Sequence, residues 1–493
     1  MLDFNRTELN KILRLLSAII IVLGIAFRFY HQFIDWSFNG DEINLGVDIL
    51  NHNFRDLFNP FQSKQSAPPL FLLLEKITSV VAKPYISLKI ISFLSSCASI
   101  FLFNRILKIS FSKTTQIILL ALFCFNPFIL SNSLTLKQYS IDLMMGLLAV
   151  NYFFDRRNSY ITFLFFVVFC LVSNVGLFFS ASFSIFLMVR SACYNKEDEL
   201  FNWKKLKPII PYILAPIPYL MFFVWFIYQP GAYNMKSYMV HYWNGSFMPL
   251  DLSIFKWLAL QGKVIYIFFF STYWFIGLPM LILFLFNMYV VFQKKRQIFQ
   301  KSIYGIISIY IITVFIHLLL SALKMYPFSD RLFLYLAPVI YLIIGVGIEK
   351  INRQILISWN QRSIQFISLI IPISAIMLYF TYLPGKSNDV YALLEYVNSM
   401  DKTVVYTPTA KQRTLKWLEF TKYYDKDYSK LFKAKENGYN NSGTGDLLIA
   451  VQSEKFGHTI KYSTPEPDII QLLEQDKIVL YHRIEGYAIY KFK

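Results

Sequence analysis

Eleven apolar runs, most of them close to the length of a bilayer, constrain this chain more than any single motif does. Crossing about 30 Å of hydrocarbon takes roughly 20 helical residues. Runs of that kind fall near residues 12–30, 88–104, 115–131, 139–154, 159–173, 175–190, 208–228, 264–291, 302–322, 331–348 and 363–383. Hydrophobic residues make up 56% of the 493 positions and charged ones only 16%, which excludes a soluble globular protein. In lipid a segment must satisfy its own backbone hydrogen bonds, so such runs predict helices. The first run has many successors and no small-residue cleavage site after it, and reads as an anchor rather than a removable signal. Residues 159–190 read as a hairpin breaking near Ser173-Asn174-Val175-Gly176. Residues 69–82 carry Glu75 and Lys76 in the middle, and charge there opposes a full crossing. That segment reads as an interfacial helix.

The basic residues order these spans. The net charge is +18, but residues 385–493 contribute only +2, so +16 belongs to the membrane part. Of the 32 Lys and Arg before residue 385, 20 lie in the shorter set of alternating loops, among them Arg105, Arg156, Lys204, Lys294 and Lys350. Excess Lys and Arg mark cytoplasmic loops. The expectation is therefore a multi-pass protein of the cytoplasmic (inner) membrane. Its basic loops would touch anionic lipid rather than nucleic acid. An odd number of spans sends residues 385–493 to the extracytoplasmic side as a small soluble α/β domain. The sheet and helix patterns there fall at 390–400, 403–406, 412–424, 446–451, 468–474, 478–481 and 487–492. The glycines around Gly443-Thr444-Gly445 lack a phosphate-loop lysine, and Asp425-Lys426-Asp427 reads as a chance surface pattern.

The same parity gathers the polar motifs on one face. The first external loop, residues 32–87, holds Asp35, Asp41, Glu42, Asp48 and Asp56, then Gln65-Ser66-Ala67-Pro68-Pro69-Leu70. Lys137-Gln138-Tyr139-Ser140-Ile141-Asp142, Tyr242-Trp243 and Tyr326-Pro327-Phe328-Ser329-Asp330-Arg331 join it. Carboxylates at the lip of a bilayer can do chemistry on a substrate whose tail lies in the lipid. A polytopic transporter or a flippase of lipid-linked sugars is the competing class, but it would place ionisable residues and helix breaks at mid-membrane and show internal repeats.

In this order the motifs resemble the GT-C-fold glycosyltransferases, in the branch holding protein O-mannosyltransferases and aminoarabinose transferases, across residues 1–384. The resemblance implies a GT-C-like domain of about eleven transmembrane helices, a polyprenyl-phosphate-linked sugar donor, an extracytoplasmic acceptor (lipid, glycan or protein) and inversion at the sugar carbon. The residues call for no required cofactor. The resemblance also makes Asp41 the catalytic carboxylate. The aminoarabinose transferases carry a basic residue shortly before the paired prolines; Lys64 and Gln65 are the nearest equivalents in this chain.

Transfer from a lipid phosphate needs a base for the acceptor proton and positive charge for the departing phosphate. Asp41 suits the first role, with Glu42 as its catalytic companion. The plainer reading is that Asp41 caps a helix over 42–51 and that Glu42 favours its positive end. Lys64, Lys137, Lys324 and Arg331 are the phosphate candidates. Arg331 leads because a guanidinium grips two oxygens and keeps its charge; pairing with Asp330 or snorkelling would also account for it. Asp142 lies inside a span, where an acid is a functional candidate, or it pairs with Lys137 or Lys89 to orient helices. Gln65, Tyr139, Tyr242, Trp243 and Tyr326 complete the substrate-binding set, against the plainer account of an interfacial aromatic belt. His31, His52 and His241 share this face, yet no helix-spaced ligand pair supports a divalent metal. The four cysteines show no disulfide framework.

Overall fold

The computed structural model describes residues 6–33, 38, 40–61, 63–82, 87–154, 158–194, 207–270, 274–293, 303–358, 396, 404–406, 447–451, 453–456, 459–462, 467–484 and 487–493. The apolar runs form helices, as their composition requires. In chain order these are α1 (Arg6–Phe33), α2 (Gly40–Asn51), α3 (Pro69–Val81), α4 (Ile90–Ser110), α5 (Lys113–Phe125), α6 (Pro127–Asn132), α7 (Tyr139–Phe154), α8 (Ser159–Val172) and α9 (Val175–Tyr194). After them come α10 (Ile210–Leu214), α11 (Ile217–Ile227), α12 (Ala232–Tyr242), α13 (Ile254–Phe269), α14 (Trp274–Gln293), α15 (Ile303–Ala322) and α16 (Ala337–Ser358). Among the described residues, five helical segments are long and apolar enough to cross a membrane: Lys11–Gln32, Ile90–Ser110, Ile210–Ile227, Ile303–Ala322 and Asp330–Lys350. Shorter apolar helices accompany them, and the chain is a multi-pass membrane protein.

Polar groups inside the bundle are partnered across helices. Arg28 is fully buried in α1; its Nε donates to Ser96 Oγ of α4 at 2.7 Å, and one terminal nitrogen donates to the carbonyls of Gly24 and Cys124 at 2.9 and 3.1 Å. Helices α4 and α7 pack together, and α4 is rich in small buried residues (Ser92, Ser95, Ser96, Ser99) of the kind that allow close helix approach.

The breaks differ in part from the expectation. The hairpin at Ser173 is present: α8 ends at Val172 and α9 starts at Val175. Gly176 is needed there, because a Cβ would sit 2.6 Å from the Phe169 carbonyl carbon and oxygen. The run 115–131 is two helices, since Pro127 lacks the N–H to continue α5 and instead opens α6 under an Asn126 side-chain cap. Residues 264–291 likewise belong to two helices, α13 starting earlier at Ile254 and α14 carrying Pro279 inside it. The run 208–228 is divided as well, with Pro211 and Pro216 marking the starts of α10 and α11. The expected span 363–383 and the tail segments 390–400 and 412–424 lie outside the described residues, apart from residue 396.

In the tail, β1 (Val404–Tyr406) pairs in parallel with β2 (Leu447–Val451). β2 runs antiparallel to β6 (Tyr487–Phe492), and β6 to β5 (Ile478–Ile484), giving the order β1-β2-β6-β5. β3 (Ser453–Phe456) and β4 (Thr459–Tyr462) form a separate hairpin. Helix α17 (Pro467–Glu474) lays Ile469 against Leu448, Ile478, Tyr490 and Phe492. Fold class is thus a helical polytopic membrane domain followed by α/β structure, as the patterns predict.

Candidate active site

Helix α2 presents the two acids. It starts at Gly40, so Asp41 and Glu42 stand in its first turn, where the helix dipole favours negative charge, and Asp41 is not its N-cap. Successive helix positions point about 100° apart, which gives the neighbours different surroundings. Glu42 turns inward and is 2% exposed. Its Oε1 accepts the Leu136 N–H at 2.6 Å and lies 3.7 Å from Lys89 Nζ. Asp41 keeps 35% of its side chain exposed, and its Oδ2 accepts from an Arg331 terminal nitrogen at 2.9 Å.

Arg331 thus reaches a residue 290 positions away. Its ion pair is with Asp41 rather than with adjacent Asp330, on whose carboxyl its charge also acts. Its guanidinium carbon lies 5.6 Å from the Tyr139 ring centroid. Lys137, two residues before Tyr139, is buried and donates from Nζ to Gln65 Oε1 at 2.6 Å. The loop carrying Lys137 is fixed from both sides, by Glu42 on the Leu136 amide and by Ser92 Oγ, which donates to the Lys137 carbonyl at 3.0 Å. Burial pushes the Lys137 ammonium down to about 8, and Arg331 adds to the fall; Asp41, Glu42 and Asp48 oppose it. Asp48 accepts from Ser63 Oγ, two residues before Gln65, which ties α2 to the stretch leading into the paired prolines. The Tyr242 phenol is held above its usual value by burial and then by the Asp41 carboxylate, which places it beside the same cluster.

The cluster therefore unites Asp41, Glu42, Gln65, Lys137, Tyr139, Tyr242 and Arg331. Trp243 stacks edge-on against Tyr242 with centroids 5.2 Å apart. Lys64 is exposed in the left-handed region (φ 59°), and its Nζ lies 4.8 Å over the Tyr238 ring of α12. Lys324 is exposed, and among the described residues no hydrogen bond or ion pair joins it to the cluster. Tyr326 packs on His317 and Phe178, with centroids 5.1 and 5.2 Å away. Asp142 is buried and accepts from Ser173 Oγ at 2.5 Å. The pairs Asp142–Lys137 and Asp142–Lys89 are not formed: Lys137 goes to Gln65 and Lys89 to Glu42. A polar Ser at the hairpin turn outcompetes them because Asp142 faces α8 and α9 rather than the loop.

Three participants escaped the sequence reading. Lys89 as the partner of Glu42, Ser63 as the donor to Asp48, and His317 under the Arg331 turn all depend on contacts between distant segments. Only His317 left a signal, a polar residue in the middle of an apolar run. Glu75 is fully buried in α3, and burial holds its carboxyl well above the usual carboxylate range. Lys76 beside it closes the end of α2, donating to the carbonyls of Ile49 and Leu50 at 2.9 and 3.0 Å. His52 Nδ1 lies 2.7 Å from the Asp48 carbonyl oxygen. Among the described residues no three His, Cys, Asp or Glu side chains are grouped to hold a metal ion.

No protein-family model matches the sequence, and no curated protein does. Solved structures do. The crystal structure of ArnT from Cupriavidus metallidurans bound to undecaprenyl phosphate aligns with 99% of this chain and 98% of its own, at 9% identity and a TM-score of 0.51. The Archaeoglobus fulgidus oligosaccharyltransferase, tethered to an acceptor peptide, aligns with 87% of this chain and 61% of its own, at 14% identity and a TM-score of 0.41. The full-length alignment with ArnT shows that this chain has the GT-C fold.

Proposed function

We propose that the chain is a membrane glycosyltransferase that moves a sugar from a polyprenyl phosphate to an extracytoplasmic acceptor. The observation that carries this reading is the Asp41–Arg331 pair, 2.9 Å long and one-quarter to one-third exposed, beside buried Lys137. A carboxylate and a guanidinium open to substrate match the two demands of the reaction. The acceptor hydroxyl attacks the anomeric carbon, its proton passes to Asp41, and the bond from that carbon to the phosphate oxygen breaks with inversion. Arg331 and Lys137 neutralise the phosphate as it leaves. The ArnT structure of the same fold holds undecaprenyl phosphate, a lipid of the class proposed as donor carrier. The charge alternation of the loops supports the extracytoplasmic face of the cytoplasmic membrane for this site.

Asp41→Asn is the decisive variant, since Asn keeps the shape and loses basicity. Transfer should fall roughly 10²–10⁴-fold with expression and folding intact. Mass spectrometry of lipid-linked sugars and envelope glycans, with wild type and variant in a strain lacking the gene, reads the result. Glycans that do not depend on the gene, or an Asn variant that restores them fully, would overturn the reading.

A further inference from the structure

His317 lies inside the 20-residue apolar helix Ile303–Ala322 and is fully buried. An imidazole there is costly unless its nitrogens are partnered. Both are: Nε2 is 2.9 Å from the Pro327 carbonyl oxygen and Nδ1 is 2.9 Å from the Tyr335 hydroxyl. A carbonyl only accepts, so Nε2 carries the proton, and Nδ1 of the neutral ring accepts from the Tyr335 hydroxyl. Pro327 precedes Arg331 by four residues and Tyr335 follows it by four, so one ring holds the turn on both sides of the guanidinium. The ring is walled by Phe178, Tyr326 and Phe328, with centroids 5.2, 5.1 and 4.7 Å away. Phe328 N–H donates to the Ser246 carbonyl at 2.9 Å, which fastens the turn to a second loop. Between these anchors Asp330 adopts φ 42°, a left-handed conformation uncommon for residues with a side chain but one that Asp tolerates, so anchors on both sides can hold it there. Arg331 is the next residue.

We propose that His317 is the positioning residue for Arg331: by joining Pro327 and Tyr335 it imposes the left-handed turn at Asp330 that aims the guanidinium at Asp41. The inference rests on Arg331 being the phosphate clamp. Its effect is on substrate contact through Arg331, not on overall stability alone.

The test is equilibrium binding of a C55 polyprenyl phosphate to the purified full chain in detergent. Arg331→Lys keeps charge but loses the two-pronged grip, and should weaken binding about tenfold or more. His317→Ala should weaken it about as much. The double variant should bind no worse than Arg331→Lys alone, because the two act through one group; independent contributions would multiply. Gln at position 317 can place an amide N–H near the Nε2 position and should restore most of the affinity, whereas Asn, which reaches only the Nδ1 position, should not. Normal binding by Arg331→Lys would sink the clamp reading and this inference with it. A weakened Arg331→Lys combined with a silent His317→Ala, or with multiplying effects in the double variant, would overturn the positioning role alone. Should the Ala variant fail to fold, the Gln and Asn pair decides: equal affinity in the two overturns the proposal.

Discussion

The two ends of the helical bundle use carboxylates in opposite ways. At one end Glu349 of α16 closes the start of α5, where its Oε2 accepts from the Ser112 N–H at 3.0 Å, Ser112 Oγ at 2.8 Å and Thr115 Oγ1 at 2.9 Å. At the other end, the length of α4 away and so about 30 Å distant, Asp41 meets Arg331 with a third of its surface open. Glu349 is occupied by a backbone N–H of the kind a helix start presents and by two hydroxyls of the same turn. Asp41 is held by a side chain that a substrate anion can share. The two carboxylates differ in their partners: Glu349 is tied to the start of a helix, Asp41 to the guanidinium of a long side chain that is itself one-quarter exposed. Glu42, adjacent to Asp41, belongs with Glu349 by this criterion. Its oxygen is taken by the Leu136 amide and by Lys89, so its part in the site is to fix the loop that carries Lys137.

Replacing Glu42 breaks the comparison most sharply. Glu42→Gln leaves Lys89 as a buried charge without its carboxylate, and should lower stability by about 3–5 kcal/mol. Asp41→Asn, one residue away, should leave the unfolding midpoint in detergent nearly unchanged. Equal stability loss in the two variants would erase the distinction between them.

Lys137 gives the next effect. Burial brings its ammonium down to about 8, so its charge is present below that pH and is lost as pH rises through it. Its charge faces Asp41, Glu42, Asp48 and Arg331. Donor affinity should therefore hold below pH 7 and fall as pH rises through about 8, by an amount of order tenfold. Lys137→Arg, which cannot lose its proton, should abolish that limb of the pH profile even where its absolute affinity is lower. An alkaline limb persisting in the Arg variant would assign the titration to another group.

The smallest effect belongs to the far end. Glu349→Gln weakens the closure of α5 and should cost about 0.5–2 kcal/mol of stability. Turnover per folded molecule should be unchanged. A loss of turnover without loss of stability would show that the two ends are coupled, contrary to their separate partners.

Much of this molecule was legible from residue order. Apolar runs define helices wherever they occur in lipid, so the membrane class, the hairpin at Ser173 and most of the helices follow from composition and length. The strands at 404–406, 447–451 and 487–492 were equally plain, because short apolar runs rich in β-branched and aromatic residues need no distant partner to be recognised. Asp41, Gln65, Lys137 and Arg331 were marked by polarity at the ends of apolar segments. Breaks at Pro127 and before residue 274 were read through, since hydrophobicity alone does not register where a backbone donor is missing.

Partner choice was decided only by the tertiary structure. From the sequence Asp142 could pair with Lys137 or Lys89, and Arg331 with Asp330. In the fold Asp142 meets Ser173, Lys89 meets Glu42, and Arg331 crosses 290 residues to Asp41. The sequence determines which side chains must find a partner, because an unpaired polar group in a bundle or at a lipid boundary is costly wherever it lies. Which partner each finds depends on helix rotation and depth. Those are set by the packing of the whole bundle, where a turn of about 100° per residue is enough to leave Asp41 open beside Arg331 and to bury Glu42 in the core.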